Sequence, residues 1–221
     1  MRPMDTRPVA HAYIDGFNLY NGLQRRAEAK GLDAPQYRWL NLCKFAEFLL
    51  PEYEVKTVRY FTSRVKRRAA DPGAGQRQQI FIRALETLPK LTIHYGYFQR
   101  NIVLRHLVKK PKKTVAVIDY KEKGSDVALA SMLLADAFRG ECGAVAVISD
   151  DSDLALPIAI AKDVLQHGVV LLNPNVATKP ARKLRGTATA YRSISESAFA
   201  ACLFPDSLTD SKGTITKPPA W

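Results

Sequence analysis

The feature that most constrains this chain is an alternation: short apolar runs of strand-forming residues are separated, repeatedly, by stretches with a helical period. Val9 to Asp15 reads as a buried strand, and a helical pattern from Phe17 to about Lys30 follows it and breaks at Gly31. Leu42 to Leu50 forms a second helix, with Asn41 as its N-cap and Pro51 as its stop, and Val55 to Val65 supplies a second strand. After the loop Asp71-Pro72-Gly73-Ala74-Gly75, a helix over Gln76 to Leu88 stops at Pro89, and Leu91 to Phe98 is a third strand. Asn101 to Leu107 and Thr114 to Tyr120 pair across a lysine-rich turn around Pro111, which predicts a basic hairpin projecting from the domain. Gly124-Ser125 opens a helix to about Arg139; Ala144 to Ser149 is a strand, Ser152 to His167 a helix and Val169 to Leu172 another strand.

This order predicts an α/β fold, a mostly parallel sheet flanked by helices on both faces. Residues 8–175 are expected to form that domain. Residues 176–221 form a C-terminal extension packed on it or trailing from it, with a short helix near Ser193 to Leu203 and a polar tail.

Charge bounds the partners. Lys and Arg number 33 against 21 Asp and Glu, a net charge of +12, which attracts polyanions and makes nucleic acid the leading partner. Three clusters lie in connections: Arg64, Lys66, Arg67 and Arg68; Lys109, Lys110, Lys112 and Lys113; and Lys179, Arg182, Lys183 and Arg185. Cys43, Cys142 and Cys202 are widely spaced with no Cys-x-x-Cys pair, so neither a disulfide framework nor a zinc site is indicated and a reducing cytoplasm fits. Met1 to Val9 has no apolar signal core, and Asp136 interrupts the one long apolar stretch, so secretion and membrane spanning are disfavoured.

In an open parallel sheet, ligands sit beyond the carboxyl ends of the strands. Asp15 closes the first strand, Asp150-Asp151-Ser152-Asp153 follows the strand ending at Ser149, and Asp126 lies in the first turn of the intervening helix. Converging carboxylates repel, and a cation between them relieves the cost. Oxygen donors favour Mg²⁺ or Mn²⁺ over zinc, and His11, His94, His106 and His167 show no ligand spacing. Along an extended chain Asp151 and Asp153 share a side, about 7 Å apart at Cα, with Asp150 opposite. If a helix has already begun there, Asp150 stays open as a ligand. Asp136 lies ~15 Å further along the helix than Asp126, too far for the same ion, and reads as a surface or structural acid. Each acid also has an ordinary use: Asp126 and Asp153 at helix N-termini, Asp15 in a strand-ending turn. Asn18 could orient a water or phosphate, or cap the first helix.

Three segments resemble the NYN domain family, also called LabA-like, within the PIN-like nucleases. They are Tyr13-Ile14-Asp15-Gly16-Phe17-Asn18-Leu19-Tyr20, Glu122-Lys123-Gly124-Ser125-Asp126-Val127-Ala128-Leu129-Ala130 and Ile148-Ser149-Asp150-Asp151-Ser152-Asp153-Leu154. The resemblance spans roughly Ala12 to Pro174 and maps the family's acids onto Asp15, Asp126, Asp151 and Asp153, with Asn18 beside the first. Many relatives carry a further acid where this chain has Met132, Gly or Asn at Asp150, and Phe at Leu154.

The resemblance implies a PIN-like, Rossmannoid fold and Mg²⁺ or Mn²⁺ dependent ribonuclease chemistry. Asp15, Asp126, Asp151 and Asp153 would be metal ligands and, with Asn18, catalytic residues. In-line attack of an activated water needs no 2′-hydroxyl, so single-stranded DNA is also admitted as substrate. Lys121, Lys123, Arg64, Lys66 and Arg67 are the candidate phosphate contacts, with solvated surface charge as the alternative for the lysine pair. A catalytically inactive RNA-binding or partner-recruiting domain is the first rival and phosphatase chemistry the second; homodimer formation is left open.

Overall fold

The computed structural model describes residues 7–30, 35–65, 71–175 and 182–221. Seven strands form one sheet in the order β4-β3-β2-β1-β5-β6-β7, all neighbours parallel except the β3–β4 pair. They are β1 (Val9–Asp15), β2 (Glu54–Ser63), β3 (Leu91–Leu107), β4 (Lys110–Lys123), β5 (Ala144–Ile148), β6 (Gly168–Asn173) and β7 (Ala190–Ser193).

Helices cover both faces, giving a Rossmann-like, PIN-like α/β architecture. β1 shows why. Ala12 and Ile14 point into one apolar cluster, built with α1 (Gly16–Lys30), α2 (Leu42–Leu49) and α3 (Ala74–Leu85). Tyr13 points into the other, under α4 (Ser125–Phe138) and α5 (Ala155–Ala159). Asn41 caps α2 as its sequence position predicts, accepting from Lys44 N at 3.0 Å.

The last part of the chain is built into this body. After α6 (Arg182–Thr187), β7 adds a parallel strand to β6. In α7 (Glu196–Ala201), Phe199 stacks on Phe45 at 5.1 Å. A small hairpin of β8 (Ser207–Asp210) and β9 (Gly213–Thr216) buries Ile215, and Trp221 returns to Phe81 at 5.9 Å.

Besides the strands β7, β8 and β9, which the sequence reading lacks, two predicted elements differ from it. The third strand and the first hairpin strand are one element, β3, and the turn falls at Val108-Lys109 rather than around Pro111, which lies inside β4. β3 pairs with β2 only from Leu91 to Gly96, so beyond that point β3 and β4 pair only with each other and project, as expected. The helix expected over Ser152 to His167 instead starts as a 3-10 turn, Ser152–Leu154, continues as α5 and widens into a π segment, Ile160–Val164. Pro157, inside this stretch, lacks an N–H to donate. Among the described residues no helix is long and apolar enough to cross a membrane.

Candidate functional site

The chain runs outward from β1 to β4, then crosses back through α4 to β5 on the other side of β1. Between β1 and β5 the strand order reverses, and in open parallel sheets the ligand crevice lies beyond the carboxyl ends of two such strands. Asp15 is the last residue of β1, and Ser149-Asp150-Asp151 leaves the end of β5.

Asp15 is 5% exposed and fixed by three hydrogen bonds. Asn18 donates its backbone N–H to Oδ1 at 2.9 Å and its side-chain amide to Oδ2 at 3.0 Å, and Ser149 Oγ donates to Oδ2 at 3.0 Å. Thus Asp15 caps the first turn of α1, and the Asn18 amide is committed to holding it. The Asn18 carbonyl oxygen accepts from Asp150 N at 3.3 Å, tying β1 to the loop after β5. α1 starts without any connecting loop because Gly16 has no side chain: a Cβ there would lie 2.7 Å from Phe61 O and 2.8 Å from the Tyr60 ring.

Ser149 is fully buried and also accepts from Asp151 N at 3.1 Å, so one hydroxyl sets the relation of the two acids. Asp151 accepts from Asp153 N at 2.9 Å, while the Asp153 carboxyl itself lies exposed. The pair is therefore not equivalent: Asp151 faces the crevice acids, and Asp153 supports it through its backbone.

The electrostatics bring in α4. Burial pushes the Asp15 carboxyl above the usual carboxylate range despite its hydrogen bonds, and the Asp151 charge pushes it further. Asp126, in the first turn of α4, is pushed up to about 6, by desolvation first and then by the charges of Asp15, Asp151 and Glu122. Asp126 thus feels the charges of the other three, and among the described residues no salt bridge reaches Asp15, Asp126 or Asp151.

Glu122 is the member that sequence reasoning missed, although it sits in the quoted segment before Asp126. Ser63 Oγ donates to its Oε1 at 2.6 Å and Ser125 Oγ to its Oε2 at 2.8 Å. Gly96 makes the room, since a Cβ there would lie 2.2 Å from Glu122 Oε1.

Of the basic candidates, Lys121 and Lys123 are exposed on β4 and, by strand alternation, face away from Glu122. The Arg64 guanidinium lies over the Tyr95 ring at 4.8 Å and donates to Gln79 at 2.6 Å. Lys66 and Arg67 fall outside the described residues.

Asp136, at the other end of α4, is fully buried and structural. Arg59 donates to both its oxygens at 2.7 and 3.0 Å, and Tyr13 donates at 2.8 Å. His11, Asp136 and Glu141 form the one trio of potential ligands within 4.8 Å of each other among the described residues. A cation there would have to displace the Arg59 guanidinium, so this trio is a poor metal site. The crevice acids are spaced more loosely than this, offer oxygen alone and lack a protein cation, a donor set that fits a hydrated hard dication.

No family model matches the chain. It is 26% identical to 6-hydroxy-3-succinoylpyridine 3-monooxygenase of Pseudomonas putida over 251 aligned positions, covering 100% of this chain and 78% of that protein. In structure it resembles a protein of unknown function from Vibrio parahaemolyticus, with a TM-score of 0.54 at 14% identity over 90% of this chain and 99% of the other. That second likeness concerns the fold alone.

Proposed function

We propose that this protein is a PIN-like, NYN-type nuclease that hydrolyses RNA phosphodiester bonds at the crevice between β1 and β5, with Mg²⁺ or Mn²⁺ as cofactor. One observation carries the reading: Asp15, Asp126 and Asp151 crowd like charge at the ligand-binding edge of the sheet, and among the described residues no salt bridge reaches them. When bound, a dication would neutralise that charge and act as a Lewis acid toward a phosphodiester. Asp15 and Asp151 would hold it, with Asp126 as the third acid of the site.

The chain's own groups fit the rest of the chemistry. Asn18 and Ser149 lock the Asp15 carboxylate, so its orientation need not be found anew in each turnover. Asp126, pushed up to about 6 by burial and the neighbouring acids while no cation is bound, keeps a carboxylate beside them as the candidate base for water. The net charge of +12 and the lysines of the projecting hairpin favour a long polyanion over a small phosphate ester.

The test uses purified protein with labelled single-stranded and structured RNAs in Mn²⁺, Mg²⁺ or chelator. Cleavage with metal, and a loss of at least about 100-fold in Asp15→Asn, are the expected results. RNA binding without metal-dependent cleavage would turn the reading into an inactive RNA-binding domain. A second reading, ring oxygenation, is favoured by the similarity to the pyridine monooxygenase along the whole chain. Oxygen uptake with a hydroxypyridine and a chemical reductant, in the absence of RNA cleavage, would select it.

A further inference from the structure

A cavity of about 450 Å³ opens beside the acids, bounded by α1, α3, the end of β2 and the last residues of the chain. It shares Gly16 and Glu122 with the site described above, yet its character is different. Aromatic rings stand on several of its walls, among leucines and polar side chains. Phe17 meets Phe98 edge to face at 5.7 Å on one side; Trp221 meets Phe81 at 5.9 Å on another. Tyr20, 41% exposed, stands at the rim with the Arg38 guanidinium 5.1 Å from its ring centre.

The polar groups decide what could enter. Arg77 is paired with Asp71, and Glu122 keeps a carboxylate on the same wall, so among the described residues Arg38, at the rim, is the lining cation that no carboxylate pairs. Gln78 is spent on Ser63 O and Val65 N. What remains includes aromatic faces with the Glu122 acceptor at one edge, beside Asn21 and Gln24, in a volume within the ordinary range for small-ligand sites. Flat rings stack on such faces whatever their substituents, and a carboxylate accepts from ring or amino N–H groups at their edge.

We propose that this cavity binds a planar heteroaromatic ring, with its face against the aromatic walls and its edge toward Glu122. The ring can come from an unstacked base of RNA, which deepens the ribonuclease reading and rests on it, or from a free hydroxy-heteroaromatic compound. In the first case the pocket holds a base next to the crevice acids and sets base preference.

Fluorescence tests this without metal or turnover. The chain has two tryptophans, and Trp221 lines the cavity while Trp39 is fully buried 6.3 Å away. The full chain, in chelator, is titrated with AMP, GMP, CMP, UMP, a hydroxypyridine and, as the ringless control, ribose 5-phosphate. At least one ring compound should change the emission saturably and ribose 5-phosphate should not. Tyr20→Ala should weaken the response about 5-fold or more, Trp221→Phe should remove it, and Tyr97→Ala, on the hairpin outside the cavity, should leave it unchanged. Saturation by hydroxypyridine alone upholds the pocket and counts against the RNA reading; saturation by a nucleotide in a protein that cuts no RNA upholds the pocket while the nuclease falls. Equal response to ribose 5-phosphate, no response to any ring, or a response indifferent to Tyr20→Ala overturns the proposal.

Discussion

One strand and one helix carry two acid centres, and the two are opposites. His11, Tyr13 and Asp15 alternate onto the same face of β1, beneath α4, whose Asp136 meets the start of the strand while Asp126 lies toward its end. At the Asp136 end, the protein provides a bidentate guanidinium and a phenol, and these hold the carboxyl below the usual range despite complete burial. At the other end the carboxyls press on one another and are pushed up. A compensated acid is a structural joint, whereas an uncompensated set is an incomplete electrostatic arrangement that a ligand can finish.

The largest effect expected from this contrast is on stability. Asp136→Ala leaves Arg59 without its partner in a mostly buried position, and unfolding in denaturant should show a loss of about 3–5 kcal/mol. Cleavage per folded molecule should stay near wild type; a variant of normal stability would break the comparison at its compensated end.

The pH dependence sharpens it. Asp126 has a raised folded value of about 6 against an ordinary 3.8, so its contribution favours the folded chain at low pH and is lost as pH rises from about 4 through 6. Asp136 has a lowered value, so its stabilisation persists above 3.8 and is lost only as pH falls below that. Because protons compete for Asp126, Mn²⁺ affinity measured by calorimetry should fall between pH 7.5 and pH 5, by up to about tenfold per unit. Affinity independent of pH across that window would remove Asp126 from the site.

The smallest effect concerns Glu122. Gly96→Ala sets a methyl 2.2 Å from its carboxylate and 2.5 Å from Lys123 O, and should cost about 1–3 kcal/mol with a partial loss of cleavage. An unchanged variant would show that Glu122 is free to move without consequence.

The sequence made the frame legible because the frame is local. Strand-ending acids, the cap at Asn41 and the parallel order follow from periodicity and turn chemistry within short windows. The partner of Asp136, by contrast, is Arg59, 77 residues away, and no local pattern joins them. The seating of Glu122 likewise depends on Ser63, Ser125 and the missing side chain of Gly96, three elements that meet only in the fold. Alternation put Asp151 and Asp153 on an equal footing, and the 3-10 turn at Ser152–Leu154 separated them. β7 has no counterpart in the sequence reading, because four residues, Ala190–Ser193, are too few to show a period.

The central claim is that the acids of the β1–β5 crevice await a cation. Thermal unfolding of the wild type and Asp15→Asn, in chelator and in Mn²⁺, addresses it without any substrate. In Mn²⁺ the wild type should rise by several degrees above its melting point in chelator, and the variant should not rise above its own. A wild type indifferent to Mn²⁺, or a variant that responds equally, would contradict the account.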